Sequence, residues 1–301
     1  MEKFKSGFVS IIGRTNVGKS TLLNEMVKEK VAIMTNKPQT TRTAIKAIVN
    51  RQNSQIVFID TPGIHKPKNK LGNVLIETAF GAISQVDVVL FVIDATSQEI
   101  GKGDMLILDK LKEKKQNVIL VINKIDLVQK QSLLKIIEQY SELYSFSAVV
   151  PVSAGKKKGI EDLLKEIEKI LPEGPKYYEE DEYTDQTLRQ LAEETIREKA
   201  LKLLNDEVPH GIYVEIEKMS LRKTIQKENI YNIDATIYCA RNSHKGIIIG
   251  KNGQMLKRIG TYARHDLEDM FQTKVNLKVW VKVSQDWQDN DSTIKRFKST
   301  D

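Results

Sequence analysis

The chain has 301 residues, 40% hydrophobic and 29% charged, which excludes a disordered chain and is length enough for two domains rather than one. No apolar run approaches the ~18 residues of a membrane-spanning helix and no apolar signal segment opens the chain, so a cytoplasmic protein is expected. Cys239 is the single cysteine, which excludes a disulfide framework or a cysteine-built metal site, and the net charge of +7 suits a polyanionic partner.

Phe8-Val9-Ser10-Ile11-Ile12 is a β-branched run that predicts a strand, and Thr21-Leu22-Leu23-Asn24-Glu25-Met26 has helical apolar spacing. Between them lies Gly13-Arg14-Thr15-Asn16-Val17-Gly18-Lys19-Ser20. Strand, glycine-rich loop and helix in that order aim successive backbone N–H groups at phosphates, with the helix N-terminus behind them. Gly13, Asn16, Val17, Gly18, Lys19, Ser20 and Thr21 are therefore the expected phosphate-binding residues. Lys19 would reach the β- and γ-phosphates, and the Ser20 hydroxyl would ligate Mg²⁺.

Gln39-Thr40-Thr41-Arg42 follows, and Thr41 is a candidate second hydroxyl for the metal. The strand Gln55-Ile56-Val57-Phe58-Ile59 runs into Asp60-Thr61-Pro62-Gly63. Asp60 is placed to hold Mg²⁺ through water, and the Gly63 N–H to sense the γ-phosphate. Lys19, Thr41 and Gly63 make up the expected catalytic set. Ras-type enzymes follow this glycine with a glutamine that orients the attacking water. Here the position is Ile64, so unaided hydrolysis should be slow. A backbone group, Thr41, a bound K⁺ or a partner would have to place the water, and Asn16 is compatible with K⁺ coordination. Arg14 and Arg42 are read as surface residues, not as an arginine finger.

Val118-Ile119-Leu120-Val121-Ile122 predicts a buried strand ending in Asn123-Lys124-Ile125-Asp126, at the carboxyl edge where open α/β sheets bind ligands. Asp126 can accept from guanine N1–H and the 2-amino group, donors that adenine lacks. Ser153-Ala154-Gly155 follows the strand over 148–152, and the Ala154 N–H is a candidate donor to guanine O6. GTP and GDP are the expected ligands.

Prolines, glycine and an acidic run over 172–185 interrupt helical periodicity, so 172–186 reads as a linker between domains 1–171 and 187–301. Beyond it Thr187 starts a helix, strands are predicted over 210–217 and 229–240, a short helix precedes Gly250, a longer one spans 254–271, and a strand spans 275–283. Gly250-Lys251-Asn252-Gly253 falls at the helix–turn–helix. Two glycines let backbone approach a sugar-phosphate chain, and the helix N-terminus behind them favours phosphate. Lys245, Ile247, Ile248, Ile249, Gly250, Lys251, Asn252, Gly253 and Lys257 are the candidate RNA-binding residues, the isoleucines as an apolar wall for unstacked bases. From Lys245 to Lys282 there are eight basic residues against three acidic. Trp280 and Trp287 are expected to be packing residues, and Cys239 a buried small hydrophobe.

The motifs GxxxxGKS, TTR, DTPG, NKxD and SAG, in that order, resemble the five boxes of translation-factor-class GTPases. The α-β-β-α-α-β order around Gly250–Gly253 resembles a type II KH domain. With Pro38-Gln39-Thr40-Thr41-Arg42-Thr43, Ile196-Arg197-Glu198-Lys199-Ala200, the run from His244 to Gly253 and the closing Trp280-Val281-Lys282-Val283, the chain resembles the Era family of bacterial GTPases over residues 6–290. The P-loop departs from that family's pattern only at Thr15, where proline is usual. The resemblance implies an α/β P-loop GTPase domain, mostly a parallel sheet with helices on both faces, followed by a smaller α+β type II KH domain. It implies GTP hydrolysis, binding near the 3′ end of 16S ribosomal RNA during 30S assembly, RNA affinity set by nucleotide state, a monomer, and peripheral association with the inner face of the cell membrane. A second reading makes the C-terminal domain a protein- or membrane-docking module that binds no RNA. The intact GXXG favours the first.

Overall fold

A computed structural model describes residues 3–297, apart from 36, 38, 39, 43, 65, 66, 68, 98, 115 and 224–227. Pro38, Gln39 and Thr43 of the motifs above lie outside the described residues. The chain forms two compact units, the first of Met1–Met34, Thr41–Asp185 and Lys295–Asp301, the second of Gln186–Ile294 with Thr35–Thr40.

In the first unit β1 (Lys5–Ile12), α1 (Lys19–Val27), β2 (Ile45–Asn50), β3 (Ser54–Asp60), α2 (Lys70–Ile83), β4 (Val88–Asp94), α3 (Lys102–Glu113), β5 (Asn117–Asn123), α4 (Lys130–Leu143), β6 (Ala148–Pro151) and α5 (Ile160–Ile170) follow in order. The strands form one sheet, β2-β3-β1-β4-β5-β6, with β2 antiparallel to β3 and every other pair parallel. Continuous apolar strands are what a sheet covered on both faces requires. Successive residues of β4 show it: Val88, Leu90 and Val92 pack into one core with Leu22, Leu23 and Ile167 of α1 and α5. Val89, Phe91 and Ile93 pack into the other with Ala79, Leu108 and Tyr140 of α2, α3 and α4. The loops that carry the motifs leave the carboxyl ends of β1, β3 and β5, where strand order reverses about β1.

The segment expected as a linker lies along this unit as far as Asp185. Ser6 N–H donates to the Pro172 carbonyl at 3.1 Å and Ile48 N–H to that of Tyr183 at 3.0 Å. The N–H groups of Tyr177 and Tyr178 donate to Gln55 Oε1 at 2.6 and 3.0 Å. Its prolines break helical periodicity as read, but backbone groups of β1 and β2 and one carboxamide of β3 supply the hydrogen bonds that tie it down.

The second unit is built from α6 (Leu188–Leu203), β7 (Ile212–Lys223), β8 (Asn229–Cys239), α7 (Asn242–Ile249), α8 (Gln254–Phe271) and β9 (Lys274–Val283). Thr187 caps α6 in a capping box with Gln190. The sheet order is β7-β8-β9, antiparallel then parallel, and Ile196, Ile237, Cys239, Ile248, Ile259 and Leu267 form its core against the three helices. Burial pushes the Cys239 thiol pKa up. Trp287 is fully buried, donating from Nε1 to the Gly211 carbonyl at 3.0 Å. Trp280 contradicts the packing expectation: it is 46% exposed. It lies in phase with Lys278 and Lys282 on the outward row of β9, while Val275 and Val281 point into the core.

Candidate nucleotide site and nucleic-acid interface

The loop after β1 needs its glycines. Gly13 and Gly18 have φ of 155° and 98°. A Cβ on Gly13 would collide with the Val92 carbonyl, and one on Gly18 with the Asn123 carboxamide. Lys19 is nearly buried, and its ammonium donates to the Arg14 carbonyl at 3.0 Å and the Gly13 carbonyl at 3.3 Å. The cation thus sits inside the loop. Burial lowers its pKa to about 8, against the opposing pull of Asp60.

Ser20, Thr41 and Asp60 come together as the metal reading requires. Asp60 Oδ2 accepts from Ser20 Oγ at 3.0 Å and Thr41 Oγ1 at 3.1 Å, and the two hydroxyls are 3.0 Å apart. Asp60 is fully buried and its Oδ1 has no hydrogen-bond partner. Burial raises its pKa, while Lys19 and the two hydroxyls pull the other way. An orphaned, buried carboxylate oxygen beside two hydroxyls is a donor set suited to Mg²⁺, a hard cation that takes oxygen ligands.

Gly63 closes against the phosphate loop, since a Cβ there would lie 2.9 Å from Thr15 Cα. The next residue settles what its side chain does. Ile64 N–H donates to the Gly13 carbonyl at 3.1 Å, and the side chain is 1% exposed, packed with Ile12, Ala79 and Phe91. It faces the core, away from any water at the γ-phosphate. Ile64→Val is therefore expected to cost about 0.5–1.5 kcal/mol of stability and to leave GTP turnover within about twofold. A tenfold fall in turnover of a folded Ile64→Val protein would mean that the side chain reaches the attacking water.

Arg42 is not the surface residue expected, whereas Arg14 is partly exposed but paired. Arg42 is 3% exposed. Arg14 donates from Nε to Asp104 Oδ1 at 3.0 Å and from Nη2 to Ser97 Oγ at 2.9 Å. Asp104 is fully buried, and burial raises its pKa against the pull of Arg14. The pair ties the phosphate loop to the start of α3. We expect Arg14→Ala to lower turnover by less than about tenfold, whereas losing an arginine finger costs ~10³–10⁵. Single-turnover hydrolysis distinguishes the two.

At the base end Asn123 Nδ2 donates to the Val17 carbonyl at 2.9 Å, bracing the two loops. Lys124, at φ 64°, reaches the Asn16 carbonyl at 3.0 Å and Asp94 at 2.6 Å. Asp94 is a positioning residue the sequence reading misses, although its place at the end of β4 signals the carboxyl edge. Burial would raise its carboxyl pKa, but hydrogen bonds from Lys124 and Thr96 hold it below the usual range. Asp126 accepts from Ser153 Oγ at 2.5 Å and is exposed, so only a bound base would desolvate it. The Ala154 N–H donates to Asn123 Oδ1 at 3.0 Å. The same N–H is the candidate donor to guanine O6, so a bound base would take it from the carboxamide or share it.

In the second unit Gly250 and Gly253 have φ of 71° and 75°, and Asn252, between them, 51°. A Cβ on Gly250 would press on Met255, 2.7 Å from its Cβ. Lys251, Asn252 and Lys257 are exposed and Lys245 half-buried, so the turn offers a cation and free backbone ahead of α8. The isoleucine wall needs correcting. Ile247 is 50% exposed, but Ile248 is fully buried and Ile249 packs against the same core. Of the three, only Ile247 is exposed. Arg264 is paired with Glu268 at 2.9 Å and Lys274 with Glu228 at 2.7 Å, so part of the basic excess is ordinary surface pairing.

Two families match these halves: a 50S ribosome-binding GTPase family over residues 8–124 and a KH domain over 207–288. GTPase Era of Clostridium tetani is 52% identical, over 98% of both chains. The chain belongs to the GTPase Era family. Era of Clostridioides difficile is likewise 52% identical over 98% of both chains. The fold matches a crystal structure of Era in complex with MgGDPNP and nucleotides 1506–1542 of 16S ribosomal RNA, with TM-score 0.93 and 40% identity over 98% of both chains. It matches an Aquifex aeolicus Era variant bound to GDP·AlF4⁻ with TM-score 0.93 and 39% identity, over 98% of this chain and 99% of that one. Membership of Era makes this chain a GTPase with a P-loop domain and a C-terminal KH domain.

Proposed function

We propose that this chain binds and hydrolyses GTP in its first unit and binds RNA near the 3′ end of 16S ribosomal RNA with its second, in assembly of the 30S subunit. Nucleotide state sets the RNA affinity. One observation carries the reading: a nearly full-length relative of the same fold has been captured with both MgGDPNP and that RNA segment. The exposed Lys251 and Asn252 between two positive-φ glycines support the RNA half. The docking-module alternative draws no comparable support.

At the nucleotide site, Lys19 and the loop N–H groups hold the phosphates, Asn123 and Lys124 brace the loops around the base, and Asp126 selects guanine. Ser20 and Thr41, with Asp60 behind them, are the residues that would hold Mg²⁺, which would supply positive charge against that developing on the phosphates. With Ile64 in the core, water is placed by backbone, by Thr41, by K⁺ beside Asn16 or by the RNA-bound partner. Intrinsic turnover should lie far below the ~1–100 s⁻¹ of kinases; identical rates in KCl and NaCl would remove K⁺ from that set. One chain holds both activities, so a monomer suffices, in the cytoplasm. Peripheral membrane association rests on the family resemblance alone.

The test is binding of a single-stranded RNA of the 16S 3′-end sequence to the full chain with a GTP analogue and with GDP. A difference of at least tenfold between the two states is expected. Equal affinities would sink nucleotide control, and no binding in either state would sink the RNA reading.

A further inference from the structure

β9 is an edge strand, and its two faces differ sharply. Val275, Leu277, Val279, Val281 and Val283 line the core side. Lys274, Asn276, Lys278, Trp280 and Lys282 form the exposed row on the open side of the sheet. Lysines on an edge strand are an ordinary guard against strand pairing. A half-exposed tryptophan among them serves no such purpose and leaves apolar surface in water.

We propose that this row is a second RNA-binding surface, in which Trp280 stacks an unpaired base and Lys278 and Lys282 hold its flanking phosphates. Aromatic rings interleaved with cations are the combination that binds single strands without reading sequence. On the neighbouring strand Tyr238, in register with Lys282, is partly exposed, held by stacking at 4.7 Å between ring centroids on Tyr213, which is itself buried against Trp287. The Lys282 ammonium lies 5.8 Å from the Tyr238 ring centroid. Charge sets the track. Acidic Glu215 and Glu217 lie on β7, and Asp234 lies on β8 in register with Lys278. Lys282 already pairs with Glu217 at 3.3 Å. An RNA strand is therefore favoured along β9 and repelled from crossing to β7.

Continuity with the GXXG turn favours RNA over a protein partner. α7 packs on the core face of β9 and leads directly into Gly250–Gly253, so a strand clamped there would round the β9 edge to reach the open face. The inference rests on the RNA-binding reading of the GXXG turn. It extends the bound stretch beyond the roughly four nucleotides such a turn holds.

The test uses the full chain and two single-stranded RNAs of the 16S 3′-end sequence, one of about six nucleotides and one of about fourteen. Trp280→Ala should weaken the long RNA about tenfold, about 1.4 kcal/mol, and leave the short one within about twofold. Trp280→Phe should stay within about threefold of the parent on both. The long RNA should quench tryptophan fluorescence in the parent, and the quench should vanish in Trp280→Phe, where only buried Trp287 remains. Lys278→Gln should reduce the salt slope by about one unit. Unchanged long-RNA affinity in folded Trp280→Ala would overturn the proposal. So would a quench that survives Trp280→Phe, which decides the matter if the alanine variant does not fold. A GXXG variant that loses both RNAs while Trp280→Ala loses neither would sink this inference and leave the first reading standing.

Discussion

Asp126→Asn is expected to weaken GTP by roughly 10²–10⁴-fold and to raise affinity for xanthosine triphosphate. Asp126 is exposed in the 3₁₀ turn Ile125–Leu127 and holds Ser153 Oγ at 2.5 Å. An amide oxygen can accept that same bond, so the turn should survive the substitution. Guanine would lose two hydrogen bonds to a charged acceptor, each contributing about 1.5–3 kcal/mol. Xanthine carries a carbonyl where guanine carries the 2-amino group, and the asparagine amide offers that carbonyl a donor. Sites built on such bonds reject the analogue lacking them by ~10⁴–10⁵. The parent should therefore ignore ATP in a competition assay. Tight ATP binding, or unchanged GTP affinity in the variant, would remove Asn123, Lys124 and Asp126 from base recognition.

Much of this site is legible in the sequence because local physics dictates it. Strand, glycine loop and helix are contiguous, and Gly13 and Gly18 can be no other residue where Val92 and Asn123 press on them. What escapes is direction and distance. Ile64 announces that it cannot orient water, yet nothing nearby in sequence says that it turns into the core under α2. Arg14 and Asp104 are far apart along the chain, so no spacing rule joins them, and Arg42 reads as polar surface although it is nearly buried. The second unit shows a subtler loss. Three isoleucines in a row on α7 project about 100° apart, so they cannot form one wall, and Ile248 takes the core position. Trp280 is readable by phase: the valines on either side of it mark the buried row of β9. Residue type alone assigns it to packing. Strand phase overrides residue type here, and it does so where an exposed aromatic has something to bind.

Replacing Lys251 and Asn252 together by aspartate is expected to lower affinity for the 16S 3′-end RNA by at least tenfold, about 1.4 kcal/mol. Both side chains are exposed and both flanking glycines stay, so the positive-φ turn that Gly250 and Gly253 provide is retained. Aspartate also tolerates the left-handed conformation that position 252 adopts, with φ 51°. The unit should therefore fold, which its unfolding midpoint checks. What changes is charge: a cation facing phosphate is removed and two carboxylates are gained at the N-terminus of α8. There they favour the helix dipole while repelling the RNA, so stability and binding should move in opposite directions. The salt dependence of binding should flatten by about one unit of slope for each phosphate that the turn no longer neutralises. GTP and GDP binding should be unchanged, since every residue assigned to the nucleotide lies in the first unit. A folded double variant with parental RNA affinity and parental salt slope would move RNA binding away from Gly250–Gly253 and revive the docking-module reading of this domain.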